Sequence, residues 1–121
     1  MIRRVPWSED VERGLSRALP DPVIRSIVAG EVRAGVSRLW ECEEGPHRAY
    51  VVTRVDTHPT ELVIVAFEGS GMHVFAPHFI GAARAYGVPV RAHVTNPVVE
   101  RLIRRFGFQR EEVILRARHA A

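Results

Sequence analysis

The segment Thr95-Asn96-Pro97-Val98-Val99-Glu100-Arg101-Leu102-Ile103-Arg104-Arg105-Phe106-Gly107-Phe108 carries the signals for both ends of one helix. Asn96 offers a side-chain oxygen to the free N–H groups of a first turn, so it predicts an N-cap. Pro97 suits the first helical position, where no N–H is missed and φ is already helical. Val99, Leu102 and Phe106 recur at helical spacing as one apolar stripe. Arg104 and Arg105 put positive charge in the last turn, where the helix dipole favours it. Gly107 can take the left-handed conformation that ends a helix.

Upstream, Glu61-Leu62-Val63-Ile64-Val65-Ala66-Phe67 is a continuous apolar run of strand length, which suits a strand covered on both faces. Glu68-Gly69-Ser70-Gly71-Met72 reads as a turn. A helical pattern follows from about Val74 to Tyr86, stopped by Gly87, and Val88 to Thr95 returns to strand character. Pro77 fits only a first helical turn, which puts the helix start near Ala76 and makes Gly71–Phe75 an irregular lead-in. Val74, Phe75, Phe79, Ala83 and Tyr86 then share a face against a sheet.

The N-terminal half reads as a short strand over residues 2–6 and two helices. Ser8 caps the first, with Glu9, Asp10 and Glu12 in its first turn. Val11, Leu15 and Leu19 carry its apolar spacing through to Pro20. Asp21-Pro22 repeats the cap-plus-proline signal, and Val23, Ile24, Ile27, Val28 and Val32 make the second helix amphipathic up to Gly35. Val36–Glu43 alternates as a two-sided strand. Glu44-Gly45-Pro46-His47 is a turn, and Arg48–Asp56 reads as the hairpin partner. Thr57–Thr60 turns the chain into the apolar run, and Phe108–Arg118 reads as a last strand. The order is β-α-α-β-β-β-α-β-α-β in a single domain over residues 1–121.

A phosphate loop needs backbone N–H groups aimed at oxygens, glycines for close approach and a helix start behind. Gly69, Ser70 and Gly71 satisfy part of that; a plain strand-to-helix turn is the alternative. This element order, with Asn96 and Gly107-Phe108 at this separation, resembles the GNAT superfamily of acyl-CoA-dependent N-acyltransferases. The resemblance covers essentially the whole chain. It implies an α/β fold with a mixed central sheet flanked by helices. Its two central strands, here Leu62–Phe67 and Val88–Thr95, would splay apart around acetyl-CoA or another acyl-CoA. Phe67, Gly69, Ser70, Gly71 and Asn96 would contact that cofactor, with a backbone hydrogen bond to the thioester carbonyl near Phe67. A general base for the acceptor amine would be Glu68 or His93, the nearest carboxylate and imidazole to the splay. The chain departs from the family pattern at Glu68, where Arg or Gln is usual, and at His73, where the last loop glycine stands. It departs again at Ile103, in place of a tyrosine whose hydroxyl is proposed to protonate the departing thiolate.

The same likeness extends to compact GNAT-like proteins of bacteriophages and prophages, some linked to virion assembly. The sequence therefore leaves three readings open: an acyltransferase acting on an unidentified acceptor amine, a non-catalytic virion or protein-interaction component, and an interaction or nucleic-acid module using surface arginines. A homo-oligomer fits any of them. The basic residues number 17, all arginine, for a net charge of +3. They are spread among acids, which argues against a nucleic-acid patch. Hydrophobic residues make up 46% of the chain, which excludes disorder. The lone Cys42 cannot form an internal disulfide, and no histidine has a second histidine four residues on, so metal-ligand spacing is absent. No apolar run approaches the ~18 residues of a membrane span, and no signal-peptide pattern follows Met1. These features suit a cytoplasmic protein, or a virion-associated one if phage-encoded.

Overall fold

Three antiparallel pairings and one parallel pairing organise the molecule. The computed structural model describes residues 1–94 and 97–111. Its elements are β1 (Ile2–Arg4), α1 (Glu9–Gly14), α2 (Pro22–Arg33), β2 (Ser37–Glu44), β3 (His47–Asp56), β4 (Glu61–Gly69), α3 (Met72–Ala85), β5 (Val90–Ala92) and α4 (Pro97–Ile103). A 3₁₀ turn over Arg104–Phe106 extends α4. The five strands lie in the order β1-β2-β3-β4-β5, antiparallel as far as β4 and parallel from β4 to β5. This is the mixed α/β sheet the sequence predicts. The last strand does not begin at Phe108, since Phe108–Glu111 form no strand; the rest of that segment, with Val113 and Leu115, lies outside the described residues, as does Asn96.

The sheet has a core on each face because β2 and β3 are two-sided. Leu39, Val52 and Ala66 pack with Val11, Leu15, Leu19 and Val28 beneath α1 and α2. Cys42, Ala49 and Val51 pack with Phe75 and Phe79 of α3 on the other face. Burying one such leucine contributes roughly 1.5–3 kcal/mol.

The helix ends form where the sequence places its caps. Ser8 Oγ accepts from the Val11 N–H at 3.3 Å, and Asp21 Oδ1 from the Val23 N–H at 2.8 Å. Gly107 is left-handed, with φ 90°. At the end of α3, Gly87 takes φ 68°. The Gly87 N–H donates to the Arg84 carbonyl and the Val88 N–H to the Ala83 carbonyl, so both orphan carbonyls are satisfied. That use of Val88, together with Pro89, delays β5 to Val90.

Four expectations are corrected. α1 ends at Gly14 rather than Pro20, yet Leu15 and Leu19 remain buried. Turn bonds from Leu15 N–H to Val11 O and from Leu19 N–H to Leu15 O keep the helical spacing. On α2, Val28 and Ala29 face the core, while Val23 (66% exposed), Ile24 and Ile27 point outward; the helix is apolar on two sides, and the sheet covers one. α3 begins at Met72, not Ala76, and Pro77 sits inside it. Pro77 lies on the exposed side, where its ring and its missing N–H disturb no packing. Tyr86, the residue that ends the helix, is 86% exposed rather than packed on the sheet.

Two ion networks brace the frame. Arg25 donates to Glu12 at 2.7 Å and to the Leu19 carbonyl at 2.7 Å, and Trp7 Nε1 donates to Glu12 at 2.9 Å. Together they join α1, α2 and the N-terminal segment. Asp56 accepts from Arg54 at 2.6 Å and from Arg91 at 2.8 Å, and Arg91 also meets Glu61 at 2.9 Å, which joins β3, β4 and β5. The hydrogen bond from Arg25 holds Glu12 below the ordinary carboxylate range, and that from Arg54 does the same for Asp56. Both carboxyls bind protons less tightly folded than unfolded. Their stabilisation is therefore complete above the unfolded-state pKa of about 4 and is lost as the pH falls through the lower folded-state values. The urea midpoint is expected to stay flat from about pH 7 to 5 and to fall below about pH 4. Asp56→Asn should lower the neutral midpoint and shrink the acid decline.

Candidate functional site

β4 pairs with β3 as far as Gly69, but with β5 only at Leu62↔Val90, Val63↔Arg91 and Ile64↔Ala92. The cause is a β-bulge. Thr53 stands opposite Ile64 while Val52 stands opposite Ala66, so Val65 is one residue too many for its partner strand. Side-chain directions agree. Leu62, Ile64 and Phe67 pack on the α3 face, whereas the consecutive Val65 and Ala66 both pack on the α1–α2 face. A bulge bends its strand and sharpens the twist. This one starts directly after the last β4–β5 pair, and beyond it the β5-side edge of β4 has no strand partner among the described residues.

The wedge so opened is a cleft of about 830 Å³. Val65–Gly69 form one wall, with Met72, Ala76 and Phe79 of α3 behind. Ala92–Val94 form another. Val99, Leu102, Ile103, Arg105, Phe106 and Phe108 close a third side, and Arg17 and Ala18 reach in from the turn after α1. Phe75, which could have plugged the wedge, is 2% exposed in the core instead. The α4 stripe of Val99, Leu102 and Phe106 lines the cleft and is not buried.

The start of α3 opens at the cleft. Gly71 is its N-cap, with φ 85°, no side chain caps it, and no acidic residue lies in its first turn. The Val74 and Phe75 N–H groups both donate to the Gly71 carbonyl, at 2.8 and 2.9 Å. The N–H groups of Met72 and His73 have no partner within the helix, and the helix dipole adds positive potential there. The glycines abut a helix start after all, contrary to the irregular lead-in that Pro77 implied.

The anticipated residues separate. Phe67, Glu68, Gly69, Gly71 and His93 line the cleft. Ser70 does not: its Oγ accepts from the Arg48 N–H at 3.3 Å, and its own N–H donates to the Arg48 carbonyl at 2.9 Å, which turns it toward β3. The glycines serve this same closeness. A Cβ on Gly69 would lie 2.2 Å from the Arg48 carbonyl oxygen, and one on Gly71 would lie 2.6 Å from His47 Cβ. Strand alternation sends Glu68 to the face opposite Phe67 and α3, where its Oε1 lies 3.8 Å from Arg17 Nε. A carboxylate there does not crowd an anion at the α3 N-terminus. His93 is exposed just past β5. Ile103 lines the cleft with no proton to give. The His47 and His73 rings meet edge to face at 5.1 Å.

Arg17 and Arg105 also line the cleft, and no spacing signal singles them out. One arrives from a turn far away in sequence, and the other reads as a last-turn arginine like its neighbour. Cys42 is buried between sheet and α3, and burial pushes its thiol up to about 11, so it is no nucleophile. Among the described residues no three His, Cys, Asp or Glu side chains gather to hold a metal, and no helix is long and apolar enough to cross a membrane.

Gly69 is the position where this geometry is most easily tested. Its φ of 131° and the approach to Arg48 leave no room for a side chain. Gly69→Ala is expected to cost at least about 1–3 kcal/mol of stability, read as a lower denaturant midpoint.

No protein-family model and no curated protein matches the chain. Solved structures do. An aminoglycoside N-acetyltransferase, AAC(6')-Iy, in complex with CoA superposes with a TM-score of 0.68 at 12% identity, over 100% of this chain and 95% of that one. A predicted acetyltransferase with acetyl-CoA from Clostridium acetobutylicum superposes at 0.54 and 12% identity, over 98% and 96%. The fold is thus that of the GNAT acetyltransferases.

Proposed function

With the GNAT fold as premise, we propose that the chain is an acyl-CoA-dependent N-acyltransferase. The observation that carries this reading is the open wedge between β4 and β5, bordered by the uncapped N-terminus of α3. The solved structures of this fold that hold CoA or acetyl-CoA support the same ligand. The alternative, a non-catalytic assembly protein, calls for a wedge filled by Phe75, Phe79 or Met72; Phe75 lies in the core, and Phe79 and Met72 stand in the wall of a cleft that still holds about 830 Å³.

The donor supplies an acyl carbon activated as a thioester. The chain's contribution is mostly placement. The Met72 and His73 N–H groups, with the α3 dipole, suit the diphosphate. Arg105 offers a second cation on the far wall. Val99, Leu102 and Phe106 give an apolar lining for the thiol arm. The edge of β4 beyond Ile64, unpaired among the described residues, offers backbone donors to the thioester oxygen, where preorganised N–H groups are most valuable. Glu68, on the opposite face, takes the proton from the acceptor nitrogen. Ile103 offers none, so the departing sulfur takes its proton from water.

Thermal unfolding with acetyl-CoA tests the binding. At about 100 times the dissociation constant a ligand stabilises by roughly 2.7 kcal/mol, a rise on the order of 10 °C for a domain this small. Adenosine alone should give no such rise; an unchanged melting temperature with millimolar acetyl-CoA would end this reading. Glu68→Gln is expected to lower kcat by about 10²–10⁴ while keeping the acetyl-CoA shift. Loss of the shift instead would make Glu68 structural.

A further inference from the structure

We infer that the acceptor is a small amine carrying its own carboxylate, an amino acid, and not a polyamine or other polycation. The inference rests on the acyl-CoA reading above and concerns the side of the cleft facing α1. Among the described residues two charged groups stand there, Glu68 and Arg17, with Arg17 Nε and Glu68 Oε1 3.8 Å apart. Glu68 is the only carboxylate on the cleft wall among the described residues. A polycation binds through several carboxylates, and this wall offers one, already faced by a guanidinium.

Arg17 is built to receive an anion. Its backbone is fixed: Leu15 and Leu19 on either side are buried, the Leu19 N–H donates to the Leu15 carbonyl, and Arg25 donates to the Leu19 carbonyl. Its side chain is 90% exposed, and it makes no hydrogen bond among the described residues. The contact to Glu68 is longer than a hydrogen bond, and such exposed pairs are worth little, so the guanidinium can exchange partners at small cost. Its planar fork matches a carboxylate through two parallel N–H bonds. An amino acid laid between the two groups places its amine at Glu68 and its carboxylate at Arg17, each charge against its opposite.

The reaction then balances within this pair. The ammonium gives one proton to Glu68, the freed amine nitrogen bonds to the acyl carbon, the carbon–sulfur bond breaks, and the second nitrogen proton passes through water to the departing thiolate. The product amide has lost the positive charge that met Glu68, which favours its release.

The test compares amino acids with their carboxamides, and with spermidine and kanamycin, as acceptors of acetyl groups from acetyl-CoA on the full chain. Amino acids should show a kcat/KM about ten- to hundredfold above their carboxamides, the range expected for one charge-assisted contact, and above both polycations. Arg17→Ala should raise KM for the acids far more than for the amides and bring the ratio toward one. Equal use of acids and amides, a preference for spermidine or kanamycin, a ratio unchanged in Arg17→Ala, or no acetylation of any amino acid overturns the inference. Thermal stabilisation by acetyl-CoA is read in parallel. If it persists, only the acceptor class falls; if it is absent, the acyltransferase reading falls and this inference with it.

Discussion

The structure depends on one extra residue. Val65 has no counterpart on β3, and the bulge it creates turns β4 away from β5 immediately after their third pair. Were the ladder to continue, the two strands would close on each other and the cleft would vanish. The sheet survives the opening because β3 holds β4 along its whole length, from Asp56↔Glu61 to Ala49↔Gly69. The wedge is thus a local failure of pairing supported by pairing on the other edge.

Around that wedge the chain divides its labour by sheet face. On the α3 side, backbone donors at a helix start and an apolar wall from α4 suit a long ligand with an anionic head. On the α1–α2 side, Glu68 and Arg17 are the charged groups, the first on a strand paired to β3 and the second on a turn pinned by buried leucines. The glycines between strand and helix serve the fold first. Gly69 and Gly71 bring the turn against Arg48 and His47, and that packing fixes where α3 begins.

Much of the fold is legible in the sequence because its signals are local. Ser8, Asp21 and Gly107 mark helix ends through bonds and dihedrals confined to a few residues, the two-sided pattern of Val36–Glu43 marks β2, and the Tyr, Val and Thr content of Arg48–Asp56 marks β3. Local rules also misled. Pro77 argues for a later helix start, but α3 begins at Met72 with Pro77 inside it and Phe75 buried beneath it. Ile27 and Val28 lie on different sides of α2 and both read as apolar, and nothing local says which faces the sheet. Ser70 sits between two glycines as a ligand-binding serine would, yet β3 claims its hydroxyl.

By itself the sequence determined the order of the elements from β1 to α4 and the helix ends at Ser8, Asp21 and Gly107, because hydrophobic period and capping chemistry act within a turn or a strand; the mixed sheet and the neighbourhood of the splay were what the resemblance to the GNAT superfamily implied. Only the tertiary structure decided where the sheet opens, since a bulge in an unbroken apolar run has no alternation to interrupt. It alone decided that Glu68 turns from α3 toward α1, and that Arg17 is the side chain it meets. Those facts are set by register between strands and by the packing of distant leucines, and no local pattern encodes either.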